Sequence, residues 1–294
     1  MNAYLLIDEY HRPQDLAKAV EILSKFGRKA KVIAGGTDIL PRRPGVGKTH
    51  YIAHLVDISD LGLNYIKSEN RRIRIGAATP INTLGAIAEF SSAPYQALSE
   101  AADAHSSPTI KNRATVGGNL CNASACADLT LPLLAMDATL LAAGPDGQRE
   151  IPITDFFRGA NYMALDDNEI LLEICIPRQP ENTGSAFIKL RRQQTAIDMA
   201  VVNVATLLTG SRGHCEVARI ALGAVAPIAL RAPGAESVLA GKKLTGKAIS
   251  EAAATVVEEI SPIGDIRATA AYRREMVGVL VRRALETSRQ RCEG

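Results

Sequence analysis

The sequence has almost no net charge of either sign: 34 Lys and Arg stand against 31 Asp and Glu, a formal +3 over 294 residues. Phosphate-dominated nucleic-acid binding needs clustered cations, and the paired arginines here are scattered, so that class of function is excluded. Long hydrophobic runs are missing too. The longest, 131–143, is broken by Pro132 and Asp137 and falls short of the roughly 20 apolar residues that cross a bilayer. The beginning of the chain carries Asp8 and Glu9 and lacks the basic and apolar regions of a secretory signal, so a cytoplasmic location is expected. Cysteine is sparse and odd in number, at 121, 126, 175, 215 and 292. No CxxC pair occurs, which argues against a disulfide framework and for reduced thiols. Tryptophan is absent, yet 47% of the residues are hydrophobic and 22% charged. That balance describes a globular protein with room for two or three packed units, and it excludes collagenous and disordered chains.

What is present begins with periodicity. Leu16, Ala17, Val20, Leu23 and Phe26 recur at helical spacing behind Asp15 and stop at Gly27. Residues 31–34 read as a short strand running into Gly35-Gly36-Thr37-Asp38, with further strands at 52–57 and 72–76. Capped apolar spacing predicts helices over 79–90 and 92–104, and strands follow at 138–143 and 170–176. Beyond the polar stretch 178–184 the texture changes to strand-like runs at 201–209 and 217–225, then helices from Thr245 and Ala268. The chain is therefore expected to divide into residues 1–178 and 185–294, without internal repeats.

Two glycine pairs stand out, Gly35-Gly36 and Gly117-Gly118, each after a strand-like run and each followed by small polar residues. Adjacent glycines allow positive φ, so that successive N–H groups converge on one anion; they also simply make tight turns. Two such loops about 80 residues apart suit the two sides of a diphosphate. Two better-known phosphate motifs fail. Gly45-Val46-Gly47-Lys48-Thr49 ends like a P-loop, but position 42, where that motif requires glycine, is Arg. Neither pair has the GxGxxG spacing of a dinucleotide fold.

KVIAGGTDILP, followed by IKNRATVGGNLCNASACADLTLPLLAMDATL and then EILLEICIP, SAFIKLRR and DIRATAAYRRE, resembles the FAD-binding medium subunit of molybdenum hydroxylases over essentially the whole chain. That family includes carbon monoxide dehydrogenase, xanthine dehydrogenase and 4-hydroxybenzoyl-CoA reductase. The resemblance implies an α+β fold: a two-subdomain FAD-binding domain of the vanillyl-alcohol oxidase-like (PCMH) type, divided near residue 56, followed by a C-terminal α+β domain. It places a first pyrophosphate loop on Ile33, Ala34, Gly35, Gly36, Thr37 and Asp38, with Ile39 and Leu40 behind. A second loop falls on Thr115, Val116, Gly117, Gly118 and Asn119.

The same resemblance sets Asp128 after that loop, Leu171 near the isoalloxazine, Lys189 close to the flavin and His105 against the adenine. Each has a plainer alternative: Asp128 as a helix cap, Lys189 as part of a solvated strand face, and His105 as a helix-end residue. Cys121 and Cys126 are expected to be small packed residues, because two thiols do not make an iron–sulfur site and no cysteine-bearing insertion follows the loop. No residue of this chain is expected to be catalytic or to bind metal. The implied complex supplies a molybdenum cofactor on a large subunit and two [2Fe–2S] clusters on a small one, in an (αβγ)2 assembly that serves an external acceptor. Two rival readings are an autonomous FAD-linked oxidase, with Cys121 or His105 as flavin tether, and a scaffold that has lost its flavin. The last segment, with seven Arg against two Glu between 266 and 292, reads as a terminal helix that is either solvated or docked on a partner.

Overall fold

The computed structural model describes residues 5–41, 50–193 and 199–293. The P-loop-like stretch at 45–49 lies outside them. The first unit is a parallel three-stranded sheet of β1 (Leu5–His11), β2 (Ala30–Ile33) and β3 (His50–Asp57), in the order β1-β3-β2, with helix α1 (Leu16–Phe26) between β1 and β2. Helix α1 starts where expected because the Asp15 carboxylate accepts from Lys18 N at 2.8 Å, and stops at Gly27, whose φ of 51° suits glycine. Its Ala19, Val20 and Leu23 are buried and pack in one cluster with Ala30 and Val56. Strand β1 was not expected: its pairing partner β3 lies some 45 residues downstream.

The second unit begins with β4 (Ile66–Ser68) and β5 (Arg72–Gly76). A helical layer follows: α2 (Ile81–Gly85), α3 (Gln96–Ala104), α4 (Pro108–Lys111), α5 (Val116–Cys121) and α6 (Thr130–Ala135). The chain then returns as β6 (Thr139–Gly144), β7 (Gly147–Pro152), the small hairpin β8 (Phe157–Gly159) and β9 (Tyr162–Met163), and β10 (Ile170–Pro177). The antiparallel sheet runs β4-β5-β10-β6-β7. The helix expected over 79–90 is broken after Gly85. Thr79 is fully buried and exchanges hydrogen bonds with the Tyr65 backbone instead of capping, and Pro80 begins the helix.

The third unit is the antiparallel sheet β11 (Thr183–Arg191), β12 (Ala200–Ser211), β13 (His214–Gly223) and β14 (Leu230–Arg231), covered by α7 (Pro233–Leu239), α8 (Gly246–Thr255) and α9 (Ala270–Glu293). The arginine-rich helix is α9, and it is packed rather than free. Val277, Val281, Ala284 and Leu285 are fully buried against the sheet. Arg273, 2% exposed, donates to Val201 O at 2.5 Å and pairs with Asp265 at 2.7 Å. Arg291 reaches back to Ser185 O and to Glu100 of α3, which also accepts from Phe187 N at 2.8 Å.

Candidate functional site: a cleft where the three units meet

A cleft of about 660 Å³ opens between the end of β2, the start of α5, and strands β10 and β11. That volume lies within the roughly 300–1,000 Å³ that holds a cofactor-sized molecule. The residues named from sequence line it, except Leu40 and Val116. Leu40 is 48% exposed and Val116 is fully buried in the core of the second unit.

The two glycines of the first loop are required for different reasons. A Cβ on Gly35 would lie 1.8 Å from Arg113 O, so this residue lets the first loop touch the backbone that leads into the second. Gly36 has φ of 72°, where an L side chain is strained. Among the described residues, the amides of Gly35, Gly36 and Thr37 donate to no protein acceptor. Successive unused N–H groups in a glycine turn are the material of which anion nests are made.

The second loop is built otherwise. Thr115 caps α5 by accepting from Gly118 N at 3.0 Å, while Val116 N donates to Thr79 O and Gly117 N to Ala77 O, both at 2.9 Å. Asn119 N donates to Thr115 O at 2.9 Å. The expected second nest is therefore absent, because these amides are committed to the fold. Neither glycine has positive φ; Gly117 is glycine because a Cβ would sit 2.7 Å from Ala77. Thr115, Gly117, Gly118 and Asn119 still line the cleft, and the Asn119 Oδ1 is buried within its wall with no hydrogen-bond partner.

Asp128 is 4% exposed and is not a helix cap: α6 is capped without a side-chain bond. Its Oδ2 accepts from Lys189 Nζ at 2.8 Å and lies 3.3 Å from His105 Nδ1, and Asn203 Nδ2 donates to Oδ1 at 3.3 Å. Lys189 also donates to Ala104 O at 3.3 Å, so this lysine belongs to a buried network and not to a solvated face. Asn203 was missed from sequence, since nothing local marks a strand asparagine 75 residues away as a partner. Leu171 lines the cleft from β10, beside the register shift between Leu171 and Glu173. The wall contributed by the 161–170 segment was also missed. Ser106 and Asn161, both lining the cleft, hold positive φ of 51° and 56°, and such strained non-glycine backbone clusters at functional sites.

Residues 6–179 match the family model described as the FAD binding domain in molybdopterin dehydrogenase, and residues 185–288 match the CO dehydrogenase flavoprotein C-terminal domain. The chain belongs to this family of FAD-binding subunits. It is 35% identical over 291 residues to the carbon monoxide dehydrogenase medium chain of Hydrogenophaga pseudoflava, covering 97% of this chain and 98% of that one. It is 30% identical to the xanthine dehydrogenase FAD-binding subunit of Escherichia coli O157:H7, with 94% of each covered. A solved structure of the Hydrogenophaga pseudoflava carbon monoxide dehydrogenase, in a form lacking the Mo-pyranopterin moiety, superposes with a TM-score of 0.92 at 33% identity, covering 99% of both chains. The residues present fit FAD, since the residues that carry the unpaired amides at 35–37 line the same cleft as the apolar Ile170 and Leu171 of β10.

Cys121 and Cys126 line the cleft as well, with Cys126 Sγ 3.2 Å from Ser124 Oγ. Burial pushes the Cys121 thiol up to about 12, and likewise Cys215 to about 11. Burial, followed by the neighbouring Glu173 carboxylate, pushes Cys175 up to about 12. A proton bound more tightly in the folded state stabilises that state below the unfolded thiol value near 9, and the contribution is lost as pH rises through the folded values. Urea midpoints are therefore expected to hold up to about pH 9 and to decline towards pH 11–12. Cys175→Ala should flatten the decline; an unchanged slope would contradict the assignment.

Proposed function

We propose that the chain is the medium subunit of a molybdenum-containing hydroxylase or dehydrogenase, receiving electrons from the [2Fe–2S] clusters of a small partner and passing them to an external acceptor such as NAD+ or a quinone. The observation that carries the reading is the run of unpaired amides at Gly35, Gly36 and Thr37, three residues that line the cleft. Substrate is oxidised at the molybdenum cofactor of a large partner subunit, and the three chains assemble as a doubled heterotrimer in the cytoplasm. Among the described residues no helix is long and apolar enough to cross a membrane, which accords with that location. Residues 1–178 bind the cofactor, with subdomains divided near residue 56, and residues 185–294 complete the subunit; the limits of the two matched family models support this division.

Bound FAD supplies the exchange between one-electron and two-electron chemistry. The protein's own part is positional. Its first-loop amides hold the pyrophosphate without spending side-chain entropy, and Thr37 and Thr115 offer hydroxyls beside it. Ile33, Ala34, Ile39 and Leu171 exclude water, and His105, 3.3 Å from Asp128, stands at the same end of the cleft as that carboxylate and Lys189, not apart from them at the adenine as the resemblance implied. Asp128, neutralised by Lys189, fixes the wall and offers its remaining lone pairs to a ribityl hydroxyl. Covalent tethering is disfavoured, since Cys121 is held as a neutral thiol and His105 is engaged by Asp128.

Acid precipitation should leave FAD in the supernatant at about one per chain. Under anaerobic conditions, adding the reduced iron–sulfur subunit should bleach the visible flavin band, whereas the substrate of the assembled complex should not bleach the isolated subunit. Bleaching by substrate alone would replace this reading with an autonomous flavoenzyme.

A further inference from the structure

On the first sheet, away from the cleft, Glu9 and His11 occupy alternate positions of β1, and Glu9 is paired in register with His54 of β3. His11 Nε2 lies 3.2 Å from His54 Nδ1, and Glu9 Oε2 lies 3.5 Å from each of these nitrogens. The three donor atoms form a nearly equilateral triangle. The faces of a tetrahedron around Zn²⁺, with bonds of about 2.05 Å, have edges of roughly 3.3 Å, against roughly 3.0 Å for an octahedral face. The observed edges match the tetrahedron.

A single proton shared between the two imidazoles satisfies only the His11–His54 edge. It leaves a carboxylate oxygen at 3.5 Å from both rings, too long for a good hydrogen bond. A divalent metal satisfies all three edges at once. The rings are also held in place: Phe26, the last residue of α1, stacks on His54 with centroids 3.5 Å apart and planes at 18°, and on His11 at 5.8 Å. The C-terminal end of a helix favours a cation nearby. The His11 and His54 side chains are 20% and 12% exposed, while that of Glu9 is 59% exposed. The triangle is thus open to water on one side, as a three-ligand zinc site requires.

We propose that Glu9, His11 and His54 form a tetrahedral Zn²⁺ site, completed by water, that staples β1 to β3. None of these residues lines the flavin cleft, so the site stands or falls separately from FAD binding. The test uses the full FAD-loaded chain, stripped with chelator and desalted, with Zn²⁺ alone as the probe in calorimetry. One saturable site per chain is expected. Co²⁺ in its place should give the visible bands of a tetrahedral ion without thiolate charge-transfer bands in the near ultraviolet. His11→Gln and Glu9→Gln should each abolish stoichiometric binding while FAD content and circular dichroism stay unchanged, and Cys126→Ser should bind as the parent does. Glu9 is exposed enough that its variant keeps the fold. Absence of a saturable site in the parent, full binding in Glu9→Gln and His11→Gln, or thiolate-to-cobalt bands would overturn the proposal.

Discussion

Gly36→Val is expected to lower FAD affinity by two orders of magnitude or more while leaving the C-terminal sheet folded. Gly36 sits at φ of 72°, a region that costs an ordinary L residue about 1–2 kcal/mol and a β-branched one more. The added Cβ also comes within 3.0 Å of Leu40 Cδ1 and 3.2 Å of Ile33 Cδ1. Those atoms are flexible side-chain ends and can shift, so backbone strain dominates. The loop relieves it by rotating the Gly36 peptide, which turns the Gly36 and Thr37 amides off their common target. Hydrogen bonds to a charged group contribute about 1.5–3 kcal/mol each, so two lost donors amount to the stated factor. Fluorescence quenching of FAD titrated into apoprotein measures it. Gly36→Ala should reproduce much of the loss, since it carries the same φ penalty. Gly118→Val should do less: Gly118 has no positive φ, and the variant acts through Thr115 Oγ1, 2.8 Å from the new Cβ, at the cost of a helix cap worth about 1 kcal/mol. FAD affinity at the parent level in Gly36→Val would show that the first loop does not hold the pyrophosphate.

The other large effect belongs to Lys189→Met. Lys189 and Asp128 are each 5% exposed in their side chains and 2.8 Å apart. Removing one member of such a pair strands the other in low dielectric, which typically costs about 3–5 kcal/mol, a large share of a stability of about 5–15 kcal/mol. Urea denaturation of the apoprotein should show that loss for Lys189→Met and a comparable one for Asp128→Asn. The double variant should cost less than the sum, with a coupling of about 1–3 kcal/mol. Additive losses would mean that the two groups do not interact in solution.

Local signals carried much of the fold. Helix α1 was legible because capping, apolar spacing and the terminating Gly27 all agree between Asp15 and Gly27, and β10 because an apolar run ends at Pro177. Strand β1 was not, since a parallel partner some 45 residues away leaves no mark on the segment itself. The site divides in the same manner. Gly36 was readable as a glycine that takes positive φ. Gly35 and Gly117 looked identical to it but are glycine because Arg113 and Ala77 approach too closely, a fact of tertiary packing. Asp128 and Lys189 were both named, yet their union was not, because 61 residues separate the turn before α6 from strand β11.

The grip of α3 on the start of the third unit bears on how this subunit can be taken apart. Glu100 holds both Phe187 N and Arg291, Ser185 Oγ accepts from Ala97 N, and Gly184 lies so close to α9 that a Cβ there would stand 2.1 Å from Ser288 O. Two inherited sequence modules meet between residues 179 and 185, but the molecule has no perforation there. A gene split at that point would yield one fragment with Asp128 stripped of its ammonium partner and another with an uncovered sheet. Recombining flavin modules from one relative with C-terminal modules from another would therefore require the Glu100–Arg291 and Asp128–Lys189 pairs to travel together, as a lock and its key must.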